Sequence, residues 1–385
     1  MFENLKNFIR HGKQAHDTQV RNVENFDLFA SSSTLNTPAG EPDMEIKNLI
    51  NSDNNNVKES KYSKCVADIV KQENEERKKL PSYPYLTDYA LLGKMGEGAF
   101  SIVYKAKDLK TGDLVAVKII RKYQMDQKQQ ALVLKEVTIM RQLNHPNIVK
   151  FINFHECEEY YYIVQELVSG GEIFTEIVKY TYFSEDLARH VVLQLANAIK
   201  YLHEEVGVVH RDIKPENLLF EPIDFIPSKE VKYRKSDDIS TKKDEGEFIY
   251  NVGGGGIGIV KLADFGLSKQ IWEHNTKTPV GTIGYTAPEI VRDERYSKQV
   301  DMWGIGCILY TLLCGFPPFY DEKIEALTEK VASGQFTFLK PWWDEISYGA
   351  KNCVSCLLTV DPNKRYTIVD FFNDPWILNY IHKCK

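Results

Sequence analysis

The run Val209-His210-Arg211-Asp212-Ile213-Lys214-Pro215-Glu216-Asn217-Leu218-Leu219 places a carboxylate, an ammonium and a side-chain amide within six positions. Apolar pairs frame it, Val208 with Val209 and Leu218 with Leu219. Such a frame has to be buried, so it holds the polar loop rigidly against a core. Asp212 can accept a proton, Lys214 can neutralise a phosphate, and Asn217 can bind a metal. Phosphoryl transfer needs these parts, because its catalysis is mostly positioning plus charge stabilisation. One such run is weak alone, and the reading depends on finding the remaining parts in order along the chain.

Upstream, residues 89–95 read as a strand, Gly96-Glu97-Gly98-Ala99-Phe100-Ser101 as a turn, and 102–106 as the return strand. Gly96 and Gly98 let the backbone approach a phosphate with no Cβ in the way. A lone Gly-x-Gly is common in hairpins, and Ser101 stands where a third glycine would be expected. Residues 114–120 form a strand that is apolar except for Lys118, and it reads as buried on both faces. A buried lysine needs a partner. Glu136 is the candidate, because Val133, Val137 and Met140 set it beside the apolar stripe of a helix. Two more strands are expected over 148–154 and 160–168. The Gly170-Gly171 break is then where a small β-rich lobe joins a helical one, leaving a crevice between.

Downstream, residues 184–204 read as a helix. Residues 221–258 are polar and long, and read as an exposed insertion, because structureless loops of that length are uncommon inside a compact domain. Gly253-Gly254-Gly255-Gly256 is followed by no Gly-Lys-Ser/Thr, so it reads as a flexible hinge rather than a phosphate loop. The strand over 259–262 ends at Asp264-Phe265-Gly266, an acid at a glycine turn that suits a metal ligand. Ala287-Pro288-Glu289 and a long apolar helix over 301–314 follow.

Composition sets limits. The 385 residues are 43% hydrophobic and 26% charged, ordinary for a globular protein. A formal charge of −6 argues against a general nucleic-acid binder. No run of apolar residues is long enough to suggest a membrane span. The first residues, Met1-Phe2-Glu3-Asn4-Leu5-Lys6, do not form a signal peptide, and Phe2 excludes N-myristoylation. Seven scattered cysteines suit reduced thiols rather than a disulfide framework. Cys353 and Cys356 read as helix packing rather than a zinc site.

In order, Gly96-x-Gly98-x-x-Ser101-x-Val103, Val115-Ala116-Val117-Lys118, Glu136, His210-Arg211-Asp212 with Asn217, Asp264-Phe265-Gly266 and Ala287-Pro288-Glu289 resemble the motif set of the eukaryotic protein kinase family. The resemblance implies an α+β, bilobal protein kinase fold. Its small β-rich N-lobe would span 83–168 and its larger helical C-lobe 169–377. A mostly disordered N-terminal arm (1–82) and a short tail (378–385) would flank it. The implied cofactors are ATP and Mg²⁺. Lys118, held by Glu136, would grip the α- and β-phosphates, beneath Gly96, Glu97, Gly98, Ala99, Phe100, Ser101 and Val103. Ala116 would also contact the ATP, whose adenine the Glu166 carbonyl and Val168 amide would bind with Gln165 beside them as gatekeeper. Asn217 and Asp264 would hold the metal. Asp212 would deprotonate the acceptor, Lys214 would neutralise the γ-phosphate, and Thr282 would brace Asp212. Glu289 would pair with Arg365. Lys214, so placed, implies a serine/threonine rather than a tyrosine kinase.

Ala99-Phe100-Ser101, the stretch from Leu167 to Glu172 and that from Asp264 to Lys269 are similar to the calcium/calmodulin-dependent-like group. That implies substrates with a basic residue three positions before the acceptor, read by Glu172 or Glu216. Glu172 is also placed to contact the ribose. Only residues 377–385 follow the domain, which counts against calmodulin control. The insertion and the stretch 338–347 resemble fungal stress-responsive kinases activated by MAP kinases. Thr278-Pro279 suits a proline-directed kinase, and a phosphate on Thr278 would pair with Arg211. Protein substrates, an upstream MAP kinase, a monomer, and a cytoplasmic location with passage to the nucleus left open complete the expectation.

Overall fold

The computed structural model describes residues 80–98, 100–266, 269–270 and 283–383. The arm up to residue 79, together with Ala99, Thr278 and Thr282, lies outside the described residues.

The first lobe is a five-stranded antiparallel sheet in the order β1-β2-β3-β5-β4. Its strands are β1 (Tyr89–Glu97), β2 (Ser101–Asp108), β3 (Leu114–Arg121), β4 (Phe151–Glu156) and β5 (Tyr160–Glu166). Strand alternation explains the position of β3. Val115, Val117 and Ile119 are buried in a small core with Tyr104, Ala106, Tyr162 and Val164. Ala116 and Lys118 face the other way and are only half-buried. The expectation of burial on both faces therefore fails, because the second face of this central strand borders a cleft. Helix α1 (Gln127–Met140) starts at a reciprocal Asp126–Gln129 capping box. It buries Val133, Glu136, Val137, Ile139 and Met140.

One strand begins later than its sequence suggests. Residues 148–149 are spent on the second lobe: Val149 N–H donates to the Leu262 carbonyl and Leu262 N–H to the Asn147 carbonyl, both at 2.9 Å.

The second lobe is helical. Helices α2 (Ile173–Tyr180), α3 (Glu185–Tyr201) and α5 (Gln299–Cys314) surround the main core, with α4 (Pro288–Val291) before α5. Helices α6 (Ile324–Ser333), α7 (Tyr348–Leu357), α8 (Ile368–Asn373) and α9 (Pro375–Lys383) follow. Two short ribbons carry the polar loops: β6 (Val208–Val209) pairs with β9 (Lys269–Gln270), and β7 (Leu218–Pro222) with β8 (Ile257–Leu262). Helix α5 is buried along almost its whole length. It ends at Gly315, where φ is +89° and a Cβ would lie 1.9 Å from the Thr181 carbonyl oxygen, so no other residue fits. Cys353 is buried in α7 as a free thiol. Glu289 and Arg365 form a buried two-pronged ion pair at 2.7 and 2.9 Å that joins α4 to the loop before α8.

The segment between β7 and β8 is the exposed insertion expected, but it is pinned at several points and its glycines are not a hinge. Arg234 donates to the carbonyls of Leu313 (2.6 Å) and Phe183 (3.1 Å). Arg234 and Lys242 both lie against the Tyr182 ring, 3.6 and 3.5 Å from its centroid. Glu245 accepts from the backbone N–H and hydroxyl of Ser184, the cap of α3. Gly253, Gly254 and Gly255 are buried, and Tyr180 donates to the Gly255 carbonyl at 2.9 Å. A Cβ on Gly253, at φ +132°, would lie 2.0 Å from the Ile257 carbonyl oxygen. The glycines are therefore required by close turns and not by a hinge. The segment is exposed as its polar composition suggested, with no buried residue from 221 to 252, but side-chain contacts pin it to α2, α3 and the end of α5.

Replacing Tyr182 by alanine removes the ring that both cations cover. Hydrogen exchange should then speed at least tenfold over residues 234–248 while α5 keeps its protection. Unchanged exchange in that segment would show that Tyr182 does not hold it.

Candidate active site

Between the lobes lies a cleft of about 500 Å³. Its roof comes from β1 to β3 (Gly96, Glu97, Gly98, Ser101, Val103, Ala116 and Lys118), and its back wall from Glu136, Gln165, Glu166 and Val168. Its floor is Glu172, Lys214, Asn217 and Asp264. Antiparallel pairing sets the roof, with Gly96 opposite Val103 and Val103 opposite Lys118. Phe100 sits exposed at the loop tip, outside this lining. A Cβ on Gly96 would meet nothing within 4 Å, so packing does not require glycine there. Met95, Val149, Leu167, Phe174, Leu219 and Ala263 add apolar lining that the motifs did not single out.

Lys118 Nζ lies 3.2 Å from Glu136 Oε1 and 3.8 Å from Asp264 Oδ1. Burial would pull the ammonium down, but these two carboxylates outweigh it, so Lys118 is held above its ordinary value and stays charged. Asp264 is held below the usual carboxylate range, chiefly by Lys118. Its backbone is left-handed, with φ +62°, which is costly for a non-glycine residue and turns the carboxylate toward the cleft.

The second cluster is local. Asn217 Nδ2 donates to the Asp212 carbonyl at 2.8 Å and to Asp212 Oδ2 at 3.0 Å. With the amide nitrogen so committed, its oxygen is the atom left for a ligand. Lys214 Nζ lies 2.9 Å from Asp212 Oδ2. Burial opposes its charge, yet Asp212 more than compensates and raises it. Two oxygen donors on the floor suit a hard cation such as Mg²⁺, which takes its other ligands from phosphate and water.

The loop bearing Asp212 is held from below by a residue that the motifs did not single out. Asp301, fully buried in α5, accepts from His210 N–H (2.9 Å), Arg211 N–H (2.7 Å) and His203 Nε2 (2.8 Å). Arg211 sits at φ +71° as a result of that grip. Burial would push the Asp301 carboxyl up, but the hydrogen bond and charge of His203 outweigh it and hold the group below the usual range. The signal was in the sequence: Asp301 is the one acid in an otherwise apolar helix. Lys261 breaks apolar β8 in the same way that Lys118 breaks β3. Arg211 itself donates to the Tyr296 hydroxyl at 2.7 Å. Its buried Nε has no hydrogen-bond partner among the described residues.

A hydroxyl brought beside Asp212 would have a proton acceptor and, in Lys214, a cation at hand. Lys118 and Asp264 stand across the same cleft. Matched against family models, residues 89–377 fit the protein kinase domain. The chain is 56% identical over 332 residues to serine/threonine-protein kinase srk1 of Schizosaccharomyces pombe, covering 83% of this chain and 57% of that protein. It is 58% identical over 320 residues to serine/threonine-protein kinase RCK2 of Saccharomyces cerevisiae, covering 76% and 52% respectively. It is 52% identical over 316 residues to calcium/calmodulin-dependent protein kinase type II of S. pombe, covering 82% and 62%. The chain thus spans a little over half the length of these relatives.

Asp301→Asn replaces one acceptor oxygen by a donor facing N–H groups. It should destabilise the domain by about 2–4 kcal/mol and lower kcat, measured by denaturant unfolding and turnover. Because the folded carboxyl lies below its unfolded value, the Asp301 contribution is complete above about pH 4. It is lost only as pH falls through the folded value. The gap between wild type and variant should therefore narrow as pH falls below about 4, and a gap that stays constant down to about pH 2 would contradict the assignment.

Proposed function

The chain belongs to the protein kinase family, and from that premise we propose that it transfers the ATP γ-phosphoryl group to serine and threonine hydroxyls of proteins. The observation that carries this reading is a connected set at one cleft: Lys118 paired with Glu136, and Lys214 and Asn217 on the lining, both bonded to Asp212 beside it.

In the proposed reaction Asp212 accepts the proton of the attacking hydroxyl. The substrate oxygen bonds to the γ-phosphorus as the bond to the β,γ-bridging oxygen breaks, and ADP leaves. Lys118 holds the α- and β-phosphates, and Lys214 offsets charge on the transferred group. The Glu166 carbonyl and Val168 amide receive the adenine beside Gln165. Asn217 and Asp264 would hold Mg²⁺, which screens the phosphate charges when bound. Glu172 and Glu216, acidic and on the cleft floor, would read a basic residue upstream of the acceptor.

For regulation, Thr278 would be phosphorylated by a proline-directed MAP kinase in stress signalling. Two features support this. Thr278 precedes Pro279, and Arg211 offers a buried Nε with no hydrogen-bond partner among the described residues. A phosphate there would draw Arg211 from Tyr296 and order the segment before Ala287. Cytoplasmic location and a monomeric state belong to the same reading.

Asp212→Ala should lower kcat toward a basic serine peptide by at least a thousandfold, while MgADP affinity stays within threefold of wild type. Activity within tenfold of wild type would exclude Asp212 as the base. After exposure to an activated MAP kinase, wild type should gain at least tenfold in activity and Thr278→Ala should gain none. Equal gains would remove Thr278 from the mechanism.

A further inference from the structure

Lys261 is a buried lysine that phosphoryl transfer does not use. It lies in β8, three positions before Asp264. Its ammonium meets both carboxylate oxygens of Glu166, each at 2.9 Å. Glu221 Oε1 is a longer third contact at 3.3 Å, and its side chain is 43% exposed against 25% for Glu166. Glu166 Oε1 also accepts from the Lys150 N–H at 2.7 Å, and the Glu166 N–H donates to the Lys150 carbonyl at 3.0 Å. The last residue of β5 is thus held through both its side chain and its backbone. Leu167 and Val168, which follow it, line the cleft.

Stability alone does not account for such a pair, since well-packed apolar replacements of buried ion pairs are often as stable or more so. What a pair with several converging donors supplies is one arrangement, where apolar contact admits several. Here the arrangement spans the two lobes. One end is the backbone that receives the purine, and the other is the strand that delivers Asp264.

We propose that Lys261 is a positioning residue: by clamping Glu166 it fixes the backbone at 166–168 relative to Asp264, so that one bound nucleotide reaches both. This rests on the nucleotide-site reading above. Removing the ammonium leaves the Glu166 carboxylate with a single donor, and the connecting backbone then shifts to hydrate it. The cost falls on nucleotide binding. The peptide side of the cleft, organised by Asp212 and Asp301, is left in place.

The test is Lys261→Met, with MgADP as the probe in calorimetry. MgADP affinity should fall at least tenfold and the KM for ATP should rise by a similar factor. The KM for peptide should stay within twofold, and Lys261→Arg should recover at least threefold of the lost affinity. A merely structural lysine predicts a lower melting temperature with unchanged affinity in the folded protein. A folded Lys261→Met that binds MgADP within twofold of wild type overturns the proposal. If Lys261→Met does not fold, Glu166→Gln decides. It keeps the size and the acceptor for Lys150 but removes the charge, so it must weaken MgADP binding at least fivefold, and wild-type affinity overturns the proposal. Glu221→Gln should change affinity less than twofold. MgADP binding needs no transfer, so a wild type that binds it yet phosphorylates nothing would sink the functional reading and leave this test standing. A wild type that does not bind MgADP would overturn both.

Discussion

A charge taken out of water must be met by a partner or by several donors, or the group neutralises instead. That constraint organises this fold more than any single contact. Lys118 can sit in a central strand because Glu136 reaches it from α1. Asp301 can lie fully buried in α5 because two backbone N–H groups and His203 surround it. Each solution joins elements distant in sequence, and each fixes a piece of the cleft.

The consequence is a division of labour between the lobes. The sheet presents Lys118 and the glycine turn from above on strands whose other face is packed. The helical lobe presents Asp212, Lys214 and Asn217 from below on a short loop tied to Asp301. Asp264 stands between them at positive φ, within 3.8 Å of Lys118. Positioning of this kind is what phosphoryl transfer asks of a protein, since little covalent chemistry falls to the side chains.

Much of this was legible in the sequence, for a physical reason. A small β-rich lobe, a helical lobe and a crevice at the Gly-Gly break could be read from the residues, while the bilobal α+β kinase fold was what the resemblance of the ordered motifs implied. Lys118 and Glu136 could be paired on paper because each was the wrong kind of residue for its surroundings. The same signal marked Asp301 and Lys261, but their partners, His203 and Glu166, lie about a hundred residues away, and spacing does not reveal a contact of that range. The segment after β7 is exposed as its composition suggested, but spacing gave no sign of the points where Tyr182, Ser184 and Leu313 receive Arg234, Lys242 and Glu245. Gly253 likewise suggested freedom, where the Ile257 carbonyl leaves room for nothing larger.

The most direct measurement is transfer of labelled γ-phosphate from ATP to an equimolar mixture of three basic peptides that differ only in carrying serine, threonine or tyrosine as acceptor. Label on the serine and threonine peptides, at least a hundredfold above the tyrosine peptide, is the result this account predicts. Nucleotide bound with full affinity and no label on any peptide would contradict it.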